Sequence, residues 1–221
     1  MWRKIFMKKK LSKKNIVITG ASGDIAQALI QRLEGHNLIL LSRSLPQPVI
    51  PEKVDILINN AGFGEFAELS NLSDEQIDEM FKVNTLDLIK RTRDLRPELQ
   101  VINIASIAGK LPTAKSTVYA ASKAAVLAFS DALRLENPNL IVTTINTGPV
   151  RTKFHKDNVD YLEKVGENAV SAEYVADKIE QVLGKKKREV NLPVQLAFVA
   201  KIRALFPSLV DNIGNRFFNY K

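Results

Sequence analysis

The chain contains no cysteine, which excludes disulfide bonds and thiolate metal sites. That absence is consistent with a reducing compartment such as the cytoplasm. Only two histidines occur, and neither His36 nor His155 has partners at metal-ligand spacing, so no metal site is expected. No apolar run approaches the roughly 20 residues that cross a bilayer as a helix. Acids are missing from the first fourteen residues, where seven bases fall (Arg3, Lys4, Lys8, Lys9, Lys10, Lys13 and Lys14). No apolar stretch of the secretory kind follows those charges, so no signal peptide is expected. With that arm set aside, the net charge of +8 drops to about +1. A nucleic-acid-binding domain carries its basic excess on the body, with aromatics interleaved, and this chain does not. The arm reads either as a solvated segment or as one drawn to an anionic membrane surface, where each nearby Lys or Arg contributes about 1 kcal/mol.

What remains is an ordinary globular composition: 221 residues, 45% hydrophobic and 25% charged, enough for one domain with a substantial core. Asn15-Ile-Val-Ile-Thr19 is a short β-branched run that ends in Gly20-Ala-Ser-Gly23-Asp24-Ile-Ala26. A helical pattern follows, with Gly35 placed as its C-terminal stop. A strand, a glycine turn and a helix in that order aim backbone N–H groups at a phosphate. Asn37 to Leu41 predicts a second strand, followed by Ser42-Arg43-Ser44, and Val54 to Ile58 a third, followed by Asn59-Asn60-Ala61-Gly62. In a dinucleotide fold the end of the second strand lies by the adenosine ribose. An arginine there accommodates a 2′-phosphate, whereas an acid would favour the free hydroxyl.

Ser73 with Gln76 forms a capping box and Leu72 with Ile77 a hydrophobic staple, so a helix is expected from there to Arg96, stopped by Pro97. Asn84 falls inside it. Leu99 to Ile104 reads as a core strand delivering Ser106, and a long helix over about 116–136 places Tyr119 and Lys123 four apart on one face. An ammonium beside a phenol favours the phenolate and so lowers its pKa. A tyrosine tuned in this way can donate and recover a proton near neutral pH. Val126, Leu127, Phe129 and Leu133 on the same helix read as packing or as a helix-pair dimer interface.

Taken together, Thr19-Gly20 with its downstream glycine, Asn59-Asn-Ala-Gly62, Asn84, Ser106, Tyr119-x-x-x-Lys123 and Asn146-Thr-Gly148-Pro-Val-Arg-Thr152 resemble the short-chain dehydrogenase/reductase family. The resemblance runs from Asn15 to about residue 192. It implies an α/β fold: a doubly wound parallel sheet of Rossmann type between two helical layers. It also implies an NAD(P)-dependent oxidoreductase acting between a carbonyl and a secondary alcohol, with Asn84, Ser106, Tyr119 and Lys123 as the catalytic set. The cofactor would be held by Gly20, Ser22, Gly23, Ile25, Arg43, Asn60, Ala61, Gly62, Tyr119, Lys123, Gly148, Val150 and Thr152. Arg43, with no acid nearby, points to NADP rather than NAD. By resemblance, Asn84 would hold Lys123 through water, Thr152 would bond the carboxamide, and the protein would be a cytoplasmic homodimer or homotetramer acting on a small-molecule substrate.

Three departures from the family pattern matter. Asp24 and Ala26 stand where the family's later glycines stand, and Thr147 stands where it has proline. Between Arg43 and the third strand there are only ten residues, Ser44 to Lys53, three of them proline. Ten residues reach about 33 Å when extended, too little for the family's additional strand and helices, so an edge strand is expected to be missing and the adenine side open. These departures keep an alternative in view, a family member that binds or scaffolds without catalysis. Residues 153 to about 169 would form a substrate lid, Ser171 would start a helix ending near Gly184, and Lys185 to Arg188 would be a solvated loop before a last strand, Glu189 to Leu192. The domains expected are therefore a basic arm (1–14), the family domain (15–192) and an apolar and basic helical extension (193–221). In the extension Val194, Phe198, Ile202 and Leu205 share a helical face. That face would either cover the active site, meet a partner copy, or dock on a membrane.

Overall fold

The computed structural model describes residues 11–152 and 169–217, the last five of these by backbone only. Six parallel strands build its main sheet: β1 (Asn15–Thr19), β2 (Asn37–Leu41), β3 (Ile56–Asn59), β4 (Gln100–Ser106), β5 (Ile141–Thr147) and an outer strand, Glu189–Leu192. Their order is β2, β1, β3, β4, β5 and then the outer strand. A minor pair, β6 (Val150–Arg151) and β7 (Val170–Ser171), lies outside it, so Glu189–Leu192 is β8. The helices are α1 (Asp24–Arg32), α2 (Asp74–Phe81), α3 (Asp87–Leu95), α4 (Thr117–Glu136), α5 (Ala172–Val182), α6 (Val194–Leu205) and α7 (Pro207–Phe217). This is the doubly wound architecture expected from the sequence.

Strands covered on both faces read as continuous apolar runs. Ile56 to Asn59 and Gln100 to Ser106 are buried throughout. On one face α1 and α5 close over Ile16, Ile18, Ile58, Ile102 and Ile145. Each fully buried side chain of this size contributes about 2 kcal/mol. On the other face Val17, Ile39, Leu41 and Leu57 are capped by Leu95 of α3 and by Ile50 of the Ser44–Lys53 link. The link therefore passes over the sheet where a helix was to be missed, and β2 is the sheet's edge, with no strand outside it among the described residues.

Local signals explain most element ends. Both halves of the Ser73–Gln76 capping box are present, and Arg96 takes a left-handed backbone (φ 45°) ahead of Pro97, which disfavours helical backbone before it. Ser171 caps α5 by accepting from the Tyr174 backbone N–H. Three expectations need correction. Helix α1 ends at Leu33 rather than Gly35, because Leu33 leaves helical geometry (φ −105°, ψ 15°) and the chain turns by a bond from His36 N–H to its carbonyl. Strand β3 starts at Ile56, since the Asp55 carboxylate receives the Asn15 N–H and the Lys14 ammonium. The helix from Ser73 is not uniform: Lys82–Leu86 forms a π turn between α2 and α3. The expected lid lies almost wholly in 153–168, outside the described residues, as does His155.

A buried polar chain sets α3 and α4 against the sheet. Asn59 Nδ2 donates to Asn103 Oδ1 (2.8 Å) and Thr92 Oγ1 (3.2 Å), and Asn103 Nδ2 donates to Ser130 Oγ (2.8 Å). Replacing Asn103 with Ala strands polar partners in the interior and opens a small cavity. Each buried unpaired group costs about 1–3 kcal/mol, so Asn103→Ala should lower unfolding free energy by about 2 kcal/mol in a urea titration. An unchanged midpoint would remove this chain from the account of how the layers are set.

Candidate active site

Two turns at the carboxyl ends of β1 and β3 are locked together. Thr19 Oγ1 accepts from the N–H groups of Asn60 and Ala61, both at 3.0 Å, and Asn60 Nδ2 donates to the carbonyls of Thr19 and Gly20. Gly20 has φ +62°, and a Cβ there would stand 2.7 Å from Ala61 Cα. Only glycine combines that backbone with that approach. Gly23 precedes α1 with no side-chain cap and donates its N–H to the Gly20 carbonyl at 3.0 Å, so no side chain covers the helix's N-terminal end, the end that favours an anion. Asp24 is the first residue of α1, where its charge suits the helix dipole.

Beside this turn the hydroxyls of Ser22 and Ser42 are 2.9 Å apart, and those of Ser42 and Ser44 3.1 Å. Arg43 follows β2 with its side chain 88% exposed, and its Nη1 lies 3.3 Å from Glu79 Oε1 on α2.

Two of the catalytic candidates, Tyr119 and Lys123, line the same groove. The Tyr119 side chain is buried, with its ring against Phe66 (centroids 5.2 Å apart). Lys123, one turn along α4, puts its Nζ 5.9 Å from the Tyr119 ring centroid and donates to the Ile104 carbonyl at 3.1 Å. The π turn carries Asn84 fully inside, as such turns often do at functional positions. Asn84 Oδ1 accepts from Phe63 N–H, and its Nδ2 donates to the Phe63 carbonyl and to Ser122 Oγ. A Cβ on Gly62 would lie 3.0 Å from Asn84 Oδ1 and 3.1 Å from Lys123 Nζ. Gly62, Asn84 and Lys123 thus converge on one point, and any larger residue at 62 would crowd the ammonium. Ser106, at the end of β4, donates to the Thr147 carbonyl (3.2 Å) and accepts from Ala108 N–H.

A single cleft of about 620 Å³ runs from Arg43 to Thr152. All thirteen residues expected around a cofactor line it: Gly20, Ser22, Gly23, Ile25, Arg43, Asn60, Ala61, Gly62, Tyr119, Lys123, Gly148, Val150 and Thr152. Asn84 and Ser106 are buried behind the wall. Sequence reasoning missed Gln47, Val83, Asp87 and Arg91, which also line the cleft. Gln47 curls the link by donating to the carbonyls of Ser42 and Leu45. Asp87 and Arg91 carry no signal, since in sequence they look like any exposed helical pair.

Burial holds the Lys123 ammonium well below its usual range, at about 8 rather than 10.5. Between those two values the unfolded chain keeps a proton that the folded chain has lost, so stability rises with pH across that window. At about 1.4 kcal/mol per pKa unit the gain is on the order of 3 kcal/mol. Lys123→Met has no such group. The stability of the natural protein minus that of Lys123→Met should therefore grow by on the order of 3 kcal/mol as pH rises through the interval. A flat difference would mean that Lys123 titrates normally.

Comparison with known proteins bears on the same stretch. The family model described as "short chain dehydrogenase" matches residues 46–163, more than half the chain. An uncharacterized oxidoreductase of Escherichia coli K12, YbbO, is 32% identical over 70% of this chain and 64% of its own length, so the chain spans just under two thirds of that relative. The structure of a Sphingobium yanoikuyae short-chain dehydrogenase in complex with NADPH superimposes with a TM-score of 0.72, at 21% identity, over 91% of this chain and 96% of that one. A 4-hydroxyisoleucine dehydrogenase solved with NADH gives 0.66 at 20% identity, over 81% and 96%. With the parallel sheet, the locked glycine turns and the matching family model taken together, this chain belongs to the short-chain dehydrogenase family.

Proposed function

We propose that the protein is an NADP(H)-dependent oxidoreductase that interconverts a carbonyl and a secondary alcohol. The observation that carries this reading is the placement of Tyr119 and Lys123 one turn apart on the wall of a dinucleotide-sized cleft. The cleft fits such a cofactor. Gly20 and Gly23 put no side chain in front of the start of α1, the end of a helix that suits a pyrophosphate. Lys123 faces Gly62, where no side chain intrudes on a ribose. Arg43 and the hydroxyls of Ser22, Ser42 and Ser44 form a cationic and donor-rich corner suited to a 2′-phosphate. That corner, with no acid between Asn37 and Pro51, favours NADP over NAD. Arg43 would exchange Glu79 for the phosphate, a small cost because exposed ion pairs contribute only about 0–1 kcal/mol.

When bound, the nicotinamide supplies the hydride. The protein's part is protonic and positional. Lys123 favours the phenolate of Tyr119, so the hydroxyl gives its proton to the developing alkoxide and recovers it in the reverse direction. Ser106 would turn its proton from the Thr147 carbonyl to the same oxygen. Asn84 braces the Phe63 backbone and, through Ser122, the turn of α4 that bears Tyr119. The same reading takes a second copy as partner, and Leu135 of α4 is left 84% exposed.

NADPH at 100 times its Kd should stabilise the protein by about 2.7 kcal/mol in thermal unfolding, and NADH at equal concentration by less. Tyr119→Phe should keep that response while turnover of a ketone or aldehyde falls by about 10²-fold or more. Full turnover in the variant would remove Tyr119 from the mechanism, and no response to either nucleotide would remove the oxidoreductase reading.

A further inference from the structure

Six large apolar side chains stand exposed on α6, on α7 and at the residue between them: Val194, Phe198, Val199, Leu205, Phe206 and Leu209, five of them more than half exposed and Val194, Phe198 and Leu205 close to 70% or above. At 3.6 residues per turn Val194, Phe198 and Leu205 fall on a stripe about 40° wide. The opposite side of α6 is the one that packs: Ala200 is buried, Leu196 lies against Gly148 at the cleft rim, and Arg203 reaches the Lys110 carbonyl and the Asp211 carboxylate of α7. The helix pair is therefore fastened to the body by one side and presents the other to its surroundings. An apolar stripe this concentrated marks a contact with something.

Charge says what. Residues 193–217 hold three bases (Lys201, Arg203 and Arg216) against one acid, Asp211. Lys185, Lys186, Lys187 and Arg188 are all exposed immediately before β8, and α6 starts immediately after it. Four residues of strand separate the two features by about 13 Å. Leu11 packs at Gly184, directly before that basic run. A second copy of this face would offer those cations little to pair with, since the one acid of residues 193–217, Asp211, is already bonded to Arg203. An anionic bilayer would instead take the apolar stripe below its headgroups and the bases at their level, as amphipathic helices of this composition do. No helix among the described residues is long and apolar enough to cross a membrane.

We propose that the outer face of α6 and α7, with the basic run before β8, docks the protein on anionic lipid bilayers. Because Leu196 joins α6 to the cleft rim, the substrate end of the cleft would then open near the lipid surface.

The test is flotation of the full chain with vesicles of phosphatidylcholine and phosphatidylglycerol, and with phosphatidylcholine alone, at low salt. The natural protein should float with the mixed vesicles and less with the neutral ones. Phe198→Asp with Leu205→Asp, both at exposed positions, should abolish most of the binding while leaving the thermal midpoint unchanged. If that pair does not fold, Phe198→Ser with Leu205→Ser replaces it. Failure of the natural protein to bind overturns the proposal. So does binding that survives the substitutions, which would leave it to the basic segments alone. A natural protein that is a dimer in solution and becomes monomeric on substitution would assign the face to a second copy and overturn it too. None of these readouts involves a nucleotide, so the outcome is independent of the proposed enzymatic activity.

Discussion

An ammonium buried without a carboxylate is the constraint on which the rest of this structure turns. Lys123 is 4% exposed, its donated bond goes to a backbone carbonyl, and no ion pair to it occurs among the described residues. Taking a cation out of water is expensive unless it is paired, and the depressed pKa records that expense. Such an arrangement weakens the fold, and it is the reason we propose a role for this cation at the cleft. The surroundings are consistent with that purpose. Gly62 leaves room in front of the ammonium, and Asn84, turned inward by the π segment, fixes the loop that faces it.

The second organising fact is a subtraction. With β2 at the edge, no outer strand lies beyond it among the described residues, and a proline-rich link stands in for a helix by laying Ile50 over Val17, Ile39 and Leu57. The core remains closed on that face by Ile50 and Leu95, and Gln47 of the link is among the residues that line the cleft, with Asp87 and Arg91 of α3. The shortened segment leaves out an edge strand without removing the cradle, because the cradle depends on the bond set between Thr19, Gly20 and Asn60 and not on that strand.

Much of this was legible in the residues, for identifiable reasons. Strands buried on both faces announce themselves by β-branched runs, and the Ser73 capping box and the Tyr119–Lys123 spacing are local patterns that tertiary structure had no cause to override. Other features depended on contacts distant in sequence. Lys-Val-Asn-Thr-Leu reads as plain helix, and only the need of Asn84 to reach Phe63 and Ser122 makes it a π turn. Gly35 looked like a helix stop, but the chain had already left the helix at Leu33. Arg43 was rightly placed at the end of β2, while its pairing with Glu79 thirty-six residues away left no trace in sequence. The stripe on α6 was visible as a period, but which side of the helix would be buried was settled by Leu196 and Arg203.

The central claim, that burial poises the Lys123 ammonium to act on Tyr119 and a bound ribose, is tested most directly by following the Lys123 side chain itself. Selective carbon-13 labelling of lysine, with Lys123→Met to assign the signal, gives its titration curve in the ligand-free protein. A midpoint near 8 is the result this account requires. A midpoint at the ordinary value for an exposed lysine, about 10.4, would mean that the ammonium is solvated and that the site is not built as described.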